Sequence, residues 1–251
     1  RNHPLLSRKD ESGGRTGALF YGEGKDNMLL EFKNVTGITK GFNLTDISFQ
    51  IPAGYLVGLA GKNGSGKTTL LHYIADGKKQ YTGSIRFQGE ELHNSHTKFL
   101  NQIAFVADEA PFFKQYSGRQ NAKLLAPFYP EWDWDIFFRA SEEVDLFSGS
   151  KQKLDIPLAN LSRGEYLRFQ MVIAMAHCTK LYLLDEVTGG MDPVFCREFF
   201  RLLSGILMGG DASVLMVTHI VEELKERADY VGILEGGRLK SFGEAFDAVL
   251  V

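Results

Sequence analysis

The sequence predicts an α/β fold, and three apolar stretches carry that prediction. Residues 55–60, "YLVGLA", form an apolar run that leads directly into a glycine-rich turn. Residues 181–185, "LYLLD", and 213–218, "SVLMVT", are nearly continuous apolar runs with a helix-forming segment between them. Such runs are typical of strands in a parallel sheet that helices cover on both faces. A chain of 251 residues is long enough to bury one sizeable core around such a sheet.

The remaining elements follow from the order of apolar, polar and glycine residues along the chain. From Met28 onward the pattern indicates strands separated by turns and then strands that alternate with helices. In chain order we expect strands at 30–35, 45–51 and 55–60, a helix at 67–76, a strand pair around "GSIRFQG", a strand at 103–107 and a helix-rich region from about 116 to 177. Near the end, "YVGILEGGRLKSFG" is typical of a β-hairpin.

Residues 1–27 differ in composition from the rest of the chain. They are rich in glycine and in charged residues, and they show no sustained hydrophobic period. Because apolar alternation begins at Met28, we expect residues 28–251 to form the folded domain and residues 1–27 to be an extension, a tag or a processed leader. A functional N-terminal arm is the alternative interpretation.

The bulk composition excludes several classes of protein. The net charge of −3 provides no basic excess, so we expect no nucleic-acid partner. The two cysteines, Cys178 and Cys196, lack the spacing of a zinc site or a disulfide framework, which favours a reducing, cytosolic setting. Apolar runs such as "MVIAMA" are far shorter than the about 18 residues of a membrane span, so any span must come from another subunit.

The stretch "GKNGSGKT", Gly61–Thr68, matches the phosphate-binding pattern G-x-x-x-x-G-K-[ST]. It follows an apolar strand and opens a helix, so its backbone N–H groups and the helix N-terminus point at an anion. Lys67 is expected to reach the β- and γ-phosphates of a nucleotide, and Thr68 to offer its hydroxyl to Mg²⁺. The candidate nucleotide-binding residues are Gly61, Asn63, Gly64, Ser65, Gly66, Lys67, Thr68 and Thr69. A glycine-rich turn with a chance lysine is the weaker interpretation.

Two adjacent carboxylates, Asp185 and Glu186, follow the apolar run "LYLL". An acid at the end of a buried strand is where P-loop ATPases hold Mg²⁺, which makes Asp185 a candidate metal ligand together with Thr68. Glu186 points elsewhere, because it is one residue further on, and it is placed to act as a general base toward water. A structural pair at a strand end is the alternative.

The stretch "LSRGEYLR", residues 161–168, has two interpretations. By itself, Ser162 followed three residues later by Glu165 is a capping box that starts a helix. Its position between the phosphate-binding loop and the acidic pair makes the sequence resemble the ATP-binding-cassette (ABC) ATPases. Their signature Leu-Ser-Gly-Gly-Gln would appear here as "LSRGE", which retains Ser162 and Gly164 but has Arg163 and Glu165 at the third and fifth places.

Further motifs of the ABC family occur in the expected order between about residues 28 and 243. "DEVTGGMDP" is similar to the family's Asp-Glu-Pro-Thr-Ser-Gly-Leu-Asp-Pro, which implies that Glu186 is the catalytic glutamate and Asp192 the aspartate of the following loop. "MVTH" ends in His219, which the resemblance makes the histidine that contacts the γ-phosphate. The implied fold is a P-loop NTPase core with a parallel sheet, an antiparallel β subdomain and a helical subdomain.

The resemblance also implies partners and an activity. In this family two cassettes meet head to tail, so that Ser162 and Gly164 of one subunit would contact ATP held by the other. We expect hydrolysis of ATP with Mg²⁺, a homo- or heterodimer, and a membrane-spanning transporter subunit, with the protein on the inner face of the membrane. The segment "APFYPEWD" is similar to a branch associated with drug or antimicrobial-peptide export, so export is the expected direction. A soluble cluster-assembly ATPase and a nucleotide-gated interaction module are the alternatives.

Some positions depart from the family pattern. Asp108 stands where the family has a glutamine, and a carboxylate there is expected to bind Mg²⁺ directly or through water. Thr39 replaces the aromatic residue that stacks on adenine, which leaves Phe42 as the nearest substitute unless it belongs to the core. The aromatic side chains of residues 109–135 are expected mostly in the core of the helical subdomain, with a groove near residues 108–116 for a helix of the membrane subunit.

Overall fold

The structure is a computed structural model that describes residues 28–39, 42–76, 80–94, 96–146 and 153–245. The strands are β1 (Met28–Thr39), β2 (Phe42–Pro52), β3 (Leu56–Ala60), β4 (Tyr81–Phe87), β5 (Glu90–Glu91), β6 (Ile103–Val106), β7 (Leu181–Asp185), β8 (Ser213–Thr218), β9 (Tyr230–Glu235) and β10 (Arg238–Glu244). The predicted N-terminal extension, residues 1–27, lies outside the described residues.

The predicted helices are present in the expected order, and two short helices at 96–100 and 221–225 were not predicted. The helices are α1 (Lys67–Ala75), α2 (His96–Leu100), α3 (Gly118–Leu125), α4 (Trp134–Glu143), α5 (Arg163–Ala176), α6 (Pro193–Met208) and α7 (Val221–Lys225), with short 3₁₀ turns at Leu92–Asn94, Ala126–Phe128, Lys153–Asp155 and Leu158–Asn160. Within the described ranges, no helix is both long and apolar enough to cross a membrane.

A six-stranded sheet has the order β10-β9-β3-β8-β7-β6. The pairs β3·β8, β3·β9, β7·β8 and β6·β7 are parallel, whereas β9 and β10 form the predicted antiparallel hairpin. The register places Ala60 opposite Thr218 and Asp185 opposite Val217. The carboxyl ends of β3, β7 and β8 therefore lie at one edge of the sheet, where ligands bind in open α/β folds.

The strands of this sheet separate two hydrophobic cores. Leu181 and Leu183 of β7 face a core shared with α1 and with the antiparallel sheet. Tyr182 and Leu184, which alternate with them, face a second core formed with α5 and α6. Because β7 is buried on both faces, its sequence is a continuous apolar run rather than an alternating one.

The second sheet is antiparallel and has the order β2-β1-β4-β5. In β1 the apolar side chains of Leu30 and Phe32 are buried, whereas Lys33 is exposed. Phe32 stacks on Phe49 of β2 with a ring centroid distance of 4.8 Å, which fastens the sheet over the core that α1 shares. The antiparallel β subdomain is thus confirmed.

Helices α3, α4 and α5 pack around a third core, which contains Phe137 and Phe169. The expectation that most aromatic side chains of residues 109–135 lie in this core is wrong. Phe113 and Phe128 are exposed, since the segments that join these helices run over the surface of the small helical subdomain, and Trp134, the first residue of α4, is exposed as well. Phe137 and Phe169 fill the space instead.

Candidate functional site

The phosphate-binding loop lies between β3 and α1. Gly66, which precedes the first residue of α1, has a φ of 108°, a left-handed conformation that glycine adopts without strain. Gly61 is needed for close approach, since a Cβ there would lie 2.3 Å from the carbonyl oxygen of Leu234. Gly66 has no side chain that could cap the helix, so the first N–H groups of α1 stay available for an anion.

This loop encloses an open pocket with a volume of about 400 Å³. The pocket is lined by Asn63, Gly64, Gly66, Lys67, Thr68, Thr69 and Glu186. The structure thus brings together most of the predicted nucleotide-binding residues. Ser65 does not line the pocket: it is 5% exposed, and its hydroxyl makes no hydrogen bond within the described part of the chain. It supports the loop from beneath, close to Gly61.

Lys67 is 4% exposed, so its charge needs partners. Its Nζ donates hydrogen bonds to the carbonyl oxygens of Gly61 at 2.7 Å and Lys62 at 3.2 Å. The same atom lies 3.2 Å from Oε1 of Glu186. The ammonium group is therefore fixed at the pocket wall, where a phosphate group could replace Glu186 as its anionic partner.

Thr68 and Asp185, the two predicted metal ligands next to Lys67 and Glu186 in the chain, contact each other. The Thr68 hydroxyl donates to Oδ1 of Asp185 at 3.1 Å. Burial raises the pKa of Asp185 above its usual range; the Thr68 hydrogen bond opposes this shift, and the neighbouring charge of Glu186 adds to it. A cation next to Asp185 would offset the cost of burying its charge and the repulsion from Glu186. Within the described ranges, no group of three or more His, Cys, Asp and Glu side chains is placed to hold a metal ion by itself.

Glu186 lies between two potential partners of a phosphate. Its Oε2 is 2.9 Å from Nδ1 of His219, and because a carboxylate only accepts, Nδ1 carries the proton. The backbone of Glu186 has a φ of 51°, which is uncommon for a residue with a side chain. Its N–H donates to the carbonyl oxygen of Val217 at 3.0 Å, which ties this turn to β8. The acidic pair thus divides: Asp185 faces Thr68, and Glu186 faces Lys67 and His219.

The predicted capping box at the start of α5 is present. The Ser162 hydroxyl accepts from the N–H of Glu165 at 3.3 Å, and the Ser162 N–H donates to Oε2 of Glu165 at 2.8 Å. Nζ of Lys153 lies 2.8 Å from Oε1 of the same carboxylate. Burial acts to raise the pKa of Glu165, but the hydrogen bonds from Lys153 and Ser162 outweigh it and hold that pKa below its usual range.

Ser162, Gly164 and Asp192 line a second open concavity of about 520 Å³. Its lining shares no residue with that of the phosphate-binding pocket. Asp192 accepts hydrogen bonds from the N–H groups of Val194 and Phe195, both at 2.9 Å, and so caps α6. One chain therefore does not bring these three residues to its own phosphate-binding loop, and their predicted contact with a nucleotide stays a prediction.

Asp108, predicted as a metal ligand, contacts Arg163 instead. Nε of Arg163 donates to Oδ1 of Asp108 at 2.6 Å, and the guanidinium group also donates to the carbonyl oxygens of Gly189 and Glu186. The metal role of Asp108 stays a prediction. Sequence reasoning missed Arg163, although an arginine in the signature and an aspartate at position 108 were both visible departures. The side chain of Phe42, the candidate for stacking on adenine, lies outside the described residues.

Comparison with known proteins agrees with this geometry. A family model described as "ABC transporter" matches residues 44–189. The sequence is 30% identical over 212 residues to the ABC transporter ATP-binding protein YtrB of Bacillus subtilis, with 84% of this chain and 70% of that protein covered. It is 33% identical over 221 residues to the sulfate/thiosulfate import ATP-binding protein CysA of Bacillus cereus, with 83% and 60% covered.

A solved structure described as the ATP-binding subunit of an ABC transporter has the same fold. It superposes with a TM-score of 0.75 at 25% sequence identity, and the alignment covers 86% of this chain and 90% of that one. The chain spans 70% of the length of YtrB and 60% of the length of CysA.

Proposed function

Because the chain belongs to the ABC transporter family of ATPases, we propose that it hydrolyses ATP to drive transport through a separate membrane-spanning subunit. The observation that carries this proposal is the position of Glu186 between Lys67 and His219, at the mouth of the phosphate-binding loop. A carboxylate at this position can act on a water molecule that approaches a bound phosphate.

Binding is assigned to the loop and to α1. The open N-terminus of α1 and the fixed ammonium group of Lys67 offer several N–H donors to the phosphates. Thr68 and Asp185 would hold Mg²⁺, which neutralises phosphate charge in phosphoryl transfer. In our proposal the phosphate replaces Glu186 as the anionic partner of Lys67, and Oε1 of Glu186 is released from its ion pair.

The chemical step is assigned to Glu186 and His219. Once released from Lys67, the carboxylate of Glu186 accepts the proton of the attacking water. His219 holds the other carboxylate oxygen through its Nδ1 proton and so keeps Glu186 aimed into the pocket. A hydrogen bond from Nε2 of His219 to a phosphate oxygen would need a second proton on the ring, since a ring nitrogen without a proton only accepts.

The partners are proposed from the family. A second cassette, identical or related, would present its Ser162–Gly164 concavity to ATP held in the first, since one chain keeps the two surfaces apart. The membrane-spanning subunit would place the protein on the inner face of the membrane. The "APFYPEWD" segment favours export as the direction of transport. CysA is an import ATP-binding protein, so a transport assay is needed to distinguish export from import.

Steady-state phosphate release with Mg-ATP tests the proposal, with Glu186→Gln as the test variant. We expect Glu186→Gln to lower kcat by roughly 10²-fold or more while retaining ATP binding, because the amide cannot accept the proton. Glu235→Gln, an exposed glutamate near Lys240, serves as the matched control and should leave kcat unchanged. A wild-type chain that binds but never hydrolyses ATP, alone or with its membrane partner, would instead indicate a nucleotide-gated module.

Native extraction tests the transporter assignment separately. The protein should co-purify with a membrane-spanning subunit in mild detergent. If it stays free of membrane proteins under those conditions, the transporter assignment is wrong even if ATP hydrolysis is found.

A further inference from the structure

Helix α5 contacts the chain segment after β6 along one face. Residues 163, 166 and 170 share that face, since they lie three and seven positions apart. Nε2 of Gln170 donates to the carbonyl oxygen of Ala107 at 2.8 Å, and the Ala107 N–H donates back to Oε1 of Gln170 at 3.1 Å. The Tyr166 hydroxyl donates to the carbonyl oxygen of Ala110 at 3.2 Å. Three hydrogen bonds therefore fasten this segment to α5.

Arg163 extends this contact to residues 186–189, the catalytic turn that carries Glu186. It is the first residue of α5, and its guanidinium group donates to Asp108, to the carbonyl oxygen of Gly189 and, at 3.2 Å, to the carbonyl oxygen of Glu186. The start of α5 also packs closely on the residues after this turn, since a Cβ at Gly164 would lie 3.1 Å from Met191. One side chain thus joins the segment after β6, the signature and the catalytic turn.

The carbonyl oxygen of Glu186 is the informative contact. Glu186 has a left-handed backbone, which costs free energy for a residue with a side chain unless its surroundings fix it. The Gly189 N–H donates to the same carbonyl oxygen at 3.3 Å, and Arg163 supplies a second donor. The direction of the Glu186 side chain depends on this backbone conformation.

We propose that Arg163 is a positioning residue for hydrolysis, which holds the turn 186–189 in the conformation that aims Glu186, and that Asp108 orients the guanidinium group of Arg163. This inference rests on the proposed role of Glu186. It gives Asp108 a role other than the predicted one at the metal, and it explains why both departures from the family pattern occur in one chain: the carboxylate and the guanidinium are partners.

The test compares the wild-type chain with Arg163→Ala, Arg163→Lys and Asp108→Asn, with Arg119→Ala as the control. Arg119 pairs with Asp155 at 2.7 Å on the surface of the same subdomain, far along the chain from the catalytic turn. For Arg163→Ala we expect kcat to fall by roughly tenfold to 10²-fold, with KM for Mg-ATP changed less than about twofold, because small misplacement of a catalytic group mainly slows chemistry. Arg163→Lys, which retains the charge but not the fork of donors, should recover part of that loss.

Asp108 is tested by a double-mutant cycle. Asp108→Asn should lower kcat in the wild-type background and have little further effect in Arg163→Ala, since residues in one network do not act additively. The Mg²⁺ concentration that Asp108→Asn requires for hydrolysis should equal that of the wild type. An increased Mg²⁺ requirement, or full additivity with Arg163→Ala, would overturn the orienting role.

Hydrogen exchange provides a readout that needs no turnover. Backbone amides in residues 186–192 should exchange faster in Arg163→Ala than in the wild type or in Arg119→Ala, at temperatures where all remain folded. Unchanged exchange and unchanged kcat would overturn the inference. A wild-type chain without any hydrolysis would instead refute the proposed function, while the exchange experiment would still decide whether Arg163 fixes the turn.

Discussion

The N-termini of α1 and α5 both belong to the predicted nucleotide-binding machinery, yet their backbone N–H groups are treated differently. At α1 the residue before the helix is Gly66, which leaves the first N–H groups open. At α5 the hydroxyl of Ser162 and the carboxylate of Glu165 form a capping box, and Lys153 holds that carboxylate. A phosphate can therefore bind the N-terminus of α1 directly, whereas at the N-terminus of α5 the N–H of Glu165 is already bonded to the Ser162 hydroxyl.

This difference suits two different roles in nucleotide binding. The open terminus lies beside Lys67 and can bind phosphate within one chain. The capped terminus lies in a separate concavity and is suited to contact a nucleotide held by another subunit. The open site costs stability, because no side chain caps the first N–H groups of α1 and because the charge of Asp185 is partly buried next to that of Glu186. The capped site contributes stability.

Loss of Lys67 should have the largest effect on ATP binding. Lys67→Ala removes the fixed cation of the open terminus, so we expect ATP affinity to fall by roughly 10²-fold. Equilibrium binding of a fluorescent ATP analogue measures this. Lys153→Ala, which removes the cation of the capped terminus, should leave binding to the single chain within about twofold. Equal losses in the two variants would contradict the assignment of binding to α1.

Glu165 tests how the charge at the N-terminus of α5 affects dimerisation. Glu165→Gln retains a capping side chain but removes a negative charge near the proposed position of the partner's phosphates. We expect ATP-dependent dimerisation to strengthen by roughly threefold to tenfold, and the free energy of unfolding to fall by about 0.5 kcal/mol because the ion pair with Lys153 is lost. Sedimentation and thermal unfolding measure these two effects. Weaker dimerisation would show that the carboxylate supports the interface.

Asp185 tests whether the open site costs stability. Asp185→Asn removes a partly buried charge next to Glu186, so the chain without nucleotide should gain about 2–4 °C in Tm. The same variant should lose Mg²⁺-dependent hydrolysis. Ser162→Ala provides the contrast, since loss of a helix cap should lower the free energy of unfolding by about 1 kcal/mol. A lower Tm in Asp185→Asn would contradict the trade between function and stability.

His177, at the other end of α5, gives the smallest expected effect. It is 3% exposed, and burial lowers its pKa despite a hydrogen-bond contact with the carbonyl oxygen of Asn101. Since the unfolded chain then binds a proton more readily, stability should fall as the pH drops below the unfolded value of about 6.5. His177→Gln should flatten that part of the curve. An equally steep curve in the variant would assign the acid sensitivity to other groups.

Much of this arrangement could be predicted from the sequence because it is local. The apolar runs of β3, β7 and β8, the phosphate-binding pattern and the capping box each lie within a few adjacent residues. What could not be predicted depends on distant segments meeting in space. The contact between Asp108 and Arg163 joins residues 55 positions apart. The ion pair of Lys67 with Glu186 joins the start of α1 to the turn after β7. The burial of Ser65 and the exposure of Phe128 likewise follow from tertiary packing.

Sedimentation of Glu186→Gln with and without Mg-ATP tests the central claim most directly, because it requires the open terminus of one chain and the capped terminus of another to share a nucleotide. We predict a monomer without nucleotide and a dimer with Mg-ATP, and a monomer under both conditions when Lys67→Ala is added. A dimer that forms equally well without ATP, or a monomer that binds Mg-ATP without associating at any accessible concentration, would contradict the account.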